Sequence, residues 1–199
     1  MLRRTWLGQS IVWAAGLGWS GAQAQGATPA AGSAPPVTDK GGPLPATDKG
    51  GPLPVTDKGG PLPALGTRLA LPEVTLFDGS RFGPAQADGQ VLVVYWWASW
   101  CPFCAVQSPL IEQLWRVHRS RGLQVLALSV DRQAGDATAY LAKRGYTFPA
   151  GLQTPEVARV LPKPKGLPVT LVRGRDGRLL MAEAGQLFPE DIEQIARWL

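Results

Sequence analysis

Apolar side chains cluster along this chain in runs whose spacing predicts particular elements. Val91-Leu92-Val93-Val94-Tyr95-Trp96-Trp97 is unbroken, seven residues without a polar side chain except the Tyr95 hydroxyl. That pattern predicts a central strand buried on both faces. Leu123 to Val130 predicts a second strand of the same kind. Between them Leu110, Leu114 and Val117, with Ile111 and Trp115 beside them, recur at helical spacing, so a helix is expected from the cysteines at 101 and 104 to about Arg119. Upstream, Leu69 to Phe77 alternates imperfectly and meets Asp78-Gly79-Ser80, which predicts a short hairpin returning through Arg81-Phe82. Downstream, Asp136 is placed to cap a helix running through Arg144 and closed by Gly145. Phe148-Pro149-Ala150 reads as brief and extended. Thr154-Pro155-Glu156 opens a further helix, with Thr154 as cap and Pro155 in the first turn. Val169 to Val172 and Arg178 to Ala184 are expected strands joined by the hairpin turn Arg173-Gly174-Arg175-Asp176-Gly177, signalled by its Asp-Gly, and Pro189 to Leu199 is the expected last helix. This order predicts an α/β layer architecture with helices packed on a mixed sheet.

The pattern fails before residue 65, and two other signals replace it. Arg3 and Arg4 precede a short, mostly apolar stretch from Thr5 to Trp19, and Ala22-Gln23-Ala24 follows with small residues flanking one position. This is the layout of a cleaved export signal over residues 1–24. A membrane anchor would need about 20 apolar residues, and this stretch is shorter and interrupted by Gln9 and Ser10. Residues 25–64 are rich in Gly, Pro, Ala, Thr and Ser. Within them Thr-Asp-Lys-Gly-Gly-Pro-Leu-Pro occurs three times with a nine-residue period, at Thr38–Pro45, Thr47–Pro54 and Thr56–Pro63. Each unit carries one leucine and balanced Asp and Lys, too little to form a core, so a disordered linker is expected. The folded domain is expected at residues 65–199.

Charge and cysteine content narrow the function. The formal charge is +5, of which two units belong to Arg3 and Arg4. The remaining basic residues are scattered and form no run interleaved with aromatics, so no nucleic-acid partner is expected. Only two cysteines are present, Cys101 and Cys104. A pair three residues apart cannot staple a domain, and in an exported chain it points to chemistry.

A Cys-x-x-Cys that follows a buried strand and opens a helix places its first sulfur among unpaired N–H groups at the positive end of the helix. There the thiolate, the attacking species in thiol–disulfide exchange, is favoured. Cys101 is thus the expected nucleophile and Cys104, one turn on and more buried, the resolving thiol. Pro102 suits the first helical position. Structural zinc would want four Cys or His ligands, and the chain has two Cys and one His, so no metal or cofactor is expected. Copper(I) held by the pair, and a thiol oxidase that donates disulfides, stay open as alternatives. His118, far along the helix, reads as a surface or partly packed residue. Trp96 and Trp97 point to opposite strand faces, so at least one belongs to the core. Trp100 is the expected substrate contact. Lys165, beside Lys163 and Pro164, is a candidate for adding positive potential near Cys101.

Val93 to Cys104, followed by Pro109, resembles the active-site strand and helix of the thioredoxin superfamily. Gly166-Leu167-Pro168-Val169-Thr170 resembles its cis-proline loop. With the inserted αβ segment Asp131 to Pro162, the Asp-Gly hairpin and the export signal, residues 65–199 resemble the TlpA-like branch of periplasmic disulfide reductases. The resemblance implies a thioredoxin fold, with a mixed central sheet flanked by helices, an N-terminal β-hairpin and the inserted segment. It implies a cis Pro168 facing the cysteines, and substrate binding by Trp100, Pro102, Phe103, Leu167 and Pro168. It also implies a monomer that reduces disulfides of periplasmic proteins, with electrons from a membrane thiol-transfer donor. Two positions depart from the pattern. Tyr95 stands where thioredoxins carry a buried Asp, and Gln107 where several TlpA-like reductases carry a Glu.

Overall fold

The computed structural model describes residues 59–199. The expected export signal and residues 25–58 of the expected linker lie outside the described residues. From Val74 the chain runs through β1 (Val74–Thr75), β2 (Arg81–Phe82), α1 (Pro84–Ala87), β3 (Val91–Trp97) and α2 (Pro102–His118). It continues through β4 (Leu123–Ser129), α3 (Ala134–Arg144), β5 (Ala150–Leu152), α4 (Pro155–Val160), β6 (Val169–Arg173), β7 (Leu179–Ala184) and α5 (Pro189–Gln194). Single 3-10 turns follow α2 at Arg119–Arg121 and α5 at Ile195–Trp198.

Five strands form one sheet in the order β5-β4-β3-β6-β7, and β1 pairs antiparallel with β2. β3 lies in the middle, parallel to β4 and antiparallel to β6. All seven of its side chains are buried. Alternation sends Val91, Val93, Tyr95 and Trp97 into a core with Ile111 and Leu114 of α2 and Ile192 of α5. It sends Leu92, Val94 and Trp96 into a second core with Val74, Phe82 and Val157. Both indoles are therefore core, one per face. Burying a large apolar side chain stabilises by roughly 1.5–3 kcal/mol, so this strand alone anchors both layers.

The pairing of β3 with β6 also places the functional loops. Trp96 is opposite Val169. The residues that leave β3 at its C-terminal end and those that enter β6 at its N-terminal end therefore meet at one edge of the sheet.

Several elements differ from the sequence expectation. α3 starts at Ala134 with Gln133 at its cap position, and Asp136 sits inside the first turn, where a carboxylate favours the positive helix end. β5 begins at Ala150, because the N–H groups of Thr147 and Phe148 are taken by the Glu112 carboxylate and cannot join a strand ladder. α1, a single turn opened by Pro84, carries no period that pattern reading detects. Arg173 ends β6 as a buried side chain bonded to the Ala87 carbonyl and Asp88, whereas it was expected in the hairpin turn.

Residues 59–64, the end of the expected linker, lie against the domain. Gly60 donates to the Lys163 carbonyl at 3.2 Å and accepts from the Lys165 N–H at 2.9 Å. Farther on, Gly66 donates to the Leu179 carbonyl and Leu69 to that of Gly177.

Candidate active site

Cys101 occupies the N-cap position of α2, with extended backbone, and Pro102 takes the first helical position. The Cys101 sulfur accepts the Cys104 backbone N–H at 3.2 Å. One orphan N–H of the helix start is thus aimed at this sulfur, which is the local reason that a thiolate would be favoured there. Cys101 and Cys104 are joined as a disulfide, with Cα atoms 5.2 Å apart. Both cysteines are buried, Cys101 keeping 4% of its surface exposed and Cys104 none.

The loop from β3 to α2 is held by a residue that sequence reading missed. Asp131, buried just past β4, accepts the Ser99 N–H at 3.0 Å and the Ser99 hydroxyl at 2.7 Å. Its other donor is the Ser129 hydroxyl, at 2.7 Å. Cys101 N–H in turn donates to Ala98 O, closing the turn on which Trp100 sits. The one available signal was a Ser-x-Asp at the end of a buried strand, where an unpaired carboxylate would be costly.

A mostly apolar cavity of about 690 Å³ opens beside the disulfide. Trp100, Cys101, Pro102, Phe103 and Leu167 all line it, so five of the expected site residues converge. Trp100 and Phe103 are 60% and 59% exposed. The Leu167–Pro168 peptide bond is cis, and Pro168 is buried just before β6. Lys163, rather than Lys165, borders the cavity, and its ammonium donates to the Pro164 and Gly166 carbonyls. His118 lies at the far end of α2. Burial first, and the Arg121 charge second, hold its pKa below the ordinary value.

Both departures from the family pattern, Tyr95 and Gln107, are engaged in buried hydrogen bonds. The Tyr95 hydroxyl meets the Ser108 hydroxyl at 3.0 Å and donates weakly to the Cys104 carbonyl at 3.4 Å. Burial pushes the Tyr95 phenol well above its usual pKa, so it stays protonated. Gln107 is fully buried; its amide nitrogen donates to the Thr170 hydroxyl at 2.8 Å and its oxygen accepts the Leu187 N–H at 2.7 Å. Among the described residues no cluster of three or more His, Cys, Asp or Glu is arranged to hold a metal.

Comparison with known proteins agrees with this geometry. The model of the AhpC/TSA family matches residues 68–176. The chain is similar to the thiol-disulfide oxidoreductase ResA of Geobacillus kaustophilus, with 23% identity over 62% of this chain and 72% of that protein. Among solved structures it is similar to a candidate DsbE thiol:disulfide interchange protein from Chlorobium tepidum. That match has 27% identity and TM-score 0.57, over 68% of this chain and 94% of the other. It is also similar to a thioredoxin-family thiol:disulfide interchange protein from Chlorobium tepidum TLS, at 24% identity and TM-score 0.62, over 68% and 97% of the two chains. The fold is the thioredoxin fold, as the sequence resemblance implied.

Proposed function

The chain belongs to the AhpC/TSA family, and on that premise we propose that it is a thiol–disulfide oxidoreductase that reduces disulfides of exported proteins. One observation carries this reading: the Cys101 sulfur sits at the tip of α2, bonded to Cys104, in the wall of an apolar cavity it shares with Leu167.

In the reduced protein the Cys101 thiolate, held by the Cys104 N–H, attacks one sulfur of a substrate disulfide. A Cys101–substrate bond forms, the substrate S–S bond breaks, and the second substrate sulfur leaves as a thiolate that takes up a proton. Cys104 then loses its proton and attacks the Cys101 sulfur. The product leaves as a dithiol and the Cys101–Cys104 disulfide closes. Two electrons pass from the protein to the substrate, with one proton supplied by Cys104 and one by solvent. Trp100 and Phe103 offer apolar surface to the segment that carries the substrate cysteine, and the Leu167 main chain lines the same cavity. Restoring the dithiol takes two electrons from another thiol, for which the family resemblance supports a membrane thiol-transfer donor. The export signal over residues 1–24 supports a periplasmic location, and amino-terminal sequencing of the mature protein would begin at Gln25.

The test is covalent trapping. A Cys104→Ser variant incubated with a disulfide-bonded protein substrate is expected to accumulate a mixed disulfide at Cys101, visible by mass spectrometry. Absence of that adduct, with the wild-type protein also inert, overturns the proposal. Equilibration of the wild-type couple against glutathione then fixes the direction. A potential near those of strong periplasmic oxidants would make the protein a disulfide donor instead.

A further inference from the structure

The main chain from Lys163 to Lys165 carries a single parallel bridge to a residue from the repeated part of the sequence. Gly60 makes both bonds of a parallel bridge opposite Pro164, through its N–H to Lys163 and its carbonyl to Lys165. Gly59, just before it, lies so close that any Cβ there would collide with the Pro164 carbonyl group. At Gly60 a Cβ would meet open space. Pairing through main-chain groups accepts an extended peptide with little regard to side chains. Here it adds one demand, that the residue preceding the paired one be glycine. Both glycines form part of the wall of the Cys101 cavity, and Leu62 and Pro63 continue into a groove lined by Met181 and Phe188.

The chain contains this glycine in the same context three times. Lys40-Gly41-Gly42-Pro43-Leu44-Pro45 and Lys49-Gly50-Gly51-Pro52-Leu53-Pro54 are identical to Lys58-Gly59-Gly60-Pro61-Leu62-Pro63. Gly41 and Gly50 match Gly59, the position with no room for a side chain. A linker that only spans distance has no need of that match.

We propose that the Lys163–Lys165 edge is a peptide-binding seat for the Lys-Gly-Gly-Pro-Leu-Pro unit of this chain, and that the three tandem copies compete for it. Of the third copy, residues 59–63 are described, with Gly60 paired at this edge. Whichever copy sits there supplies the same wall to the Cys101 cavity, so the N-terminal segment shifts register in steps of nine residues while the cavity keeps its shape. The third copy is favoured by its tether. From the paired glycine to the anchor at Gly66, the connecting chain grows by nine residues with each copy upstream. Loop-closure entropy grows only logarithmically with length, so the effective local concentration falls roughly four-fold for the middle copy and eight-fold for the first.

Amide hydrogen exchange at Lys165 reads the occupancy of this seat without reference to redox activity. In the full chain, Gly59→Val removes the third copy and is expected to lower Lys165 protection about four-fold. A triple variant, Gly41→Val with Gly50→Val and Gly59→Val, is expected to lose that protection entirely. Added Lys-Gly-Gly-Pro-Leu-Pro peptide should restore it, whereas Lys-Val-Gly-Pro-Leu-Pro should not. Unchanged exchange in β3 shows that each variant is folded. The proposal is overturned if Gly59→Val alone abolishes protection, if the triple variant keeps wild-type protection, or if protection rises with protein concentration, which would place the unit of a second molecule in the seat.

Discussion

Two buried polar clusters flank the dithiol, and they are built from opposite materials. In front, the Asp131 carboxylate holds Ser99 and Ser129 and thereby the loop that presents Cys101. Behind, the Tyr95 hydroxyl bonds to Ser108 and the Cys104 carbonyl, and Gln107 to Thr170, all neutral groups. The carboxylate fixes backbone in front, while the side chains hydrogen-bonded behind are neutral. A buried carboxylate with several donors is a rigid tie. A buried amide satisfied at both ends is an equally good tie but takes no proton. Under the proposed mechanism, neither Gln107 nor the protonated Tyr95 offers Cys104 a base.

The largest test of this contrast falls on the front cluster. Asp131→Ala strands the Ser99 N–H and two hydroxyls, and is expected to cost about 3 kcal/mol in denaturant unfolding. Asp131→Asn keeps an acceptor and should cost less than half as much. A loss below about 0.5 kcal/mol for the alanine variant would remove the tie from the picture. Next comes the rear cluster. Gln107→Glu keeps an oxygen for the Leu187 N–H and adds a group that can take a proton, one turn from Cys104. Burial raises such a carboxyl's pKa, so resolution of the mixed disulfide should quicken about ten-fold as pH rises through that value, read by stopped-flow pH profiles. A profile identical to wild type would show that neutrality behind Cys104 has no bearing on rate.

The smallest effect concerns Glu112, a second carboxylate used as a tie. Burial alone would raise its pKa, but donors from Thr147, Arg116 and Phe148 outweigh that and hold it below the usual carboxylate range. A folded pKa below the unfolded value of about 4.3 means that its stabilisation is complete above that value and fades as pH falls through the folded one. Glu112→Gln should cost about 1 kcal/mol near pH 7, and the gap from wild type should close in acid. A gap that widens below about pH 4 would contradict this assignment.

What sequence reading reached and what it missed divides along contact distance. β3, the opening of α2 and the Thr154 cap of α4 are signalled by neighbouring residues, and the Thr154 hydroxyl does accept the Val157 N–H. Gly166 to Thr170 was legible through its likeness to a known loop. Asp131 was not, because its partner Ser99 lies 32 positions away and a strand-end Asp looks like any turn residue. Gln107 was noticed as a departure, yet its partners lie 63 and 80 positions off, so its structural role could not be seen. Glu112 shifted the start of β5 for the same reason. Asp136 misled because it is a good cap by type, while the chain already turns helical two residues earlier.

Both cysteines belong to the same apolar cluster as Trp97, Ile111 and Ile192, so opening or closing their bond is felt by the domain as a whole. A thermodynamic box then links melting to electrochemistry. If the folded domain is more stable with the bond open than closed, relative to the unfolded chain in each state, the folded couple is the stronger oxidant by that difference, about 30 mV for every 1.4 kcal/mol. Two unfolding curves, one recorded with reductant and one without, would give the potential of the folded couple relative to that of the unfolded chain without any partner being identified.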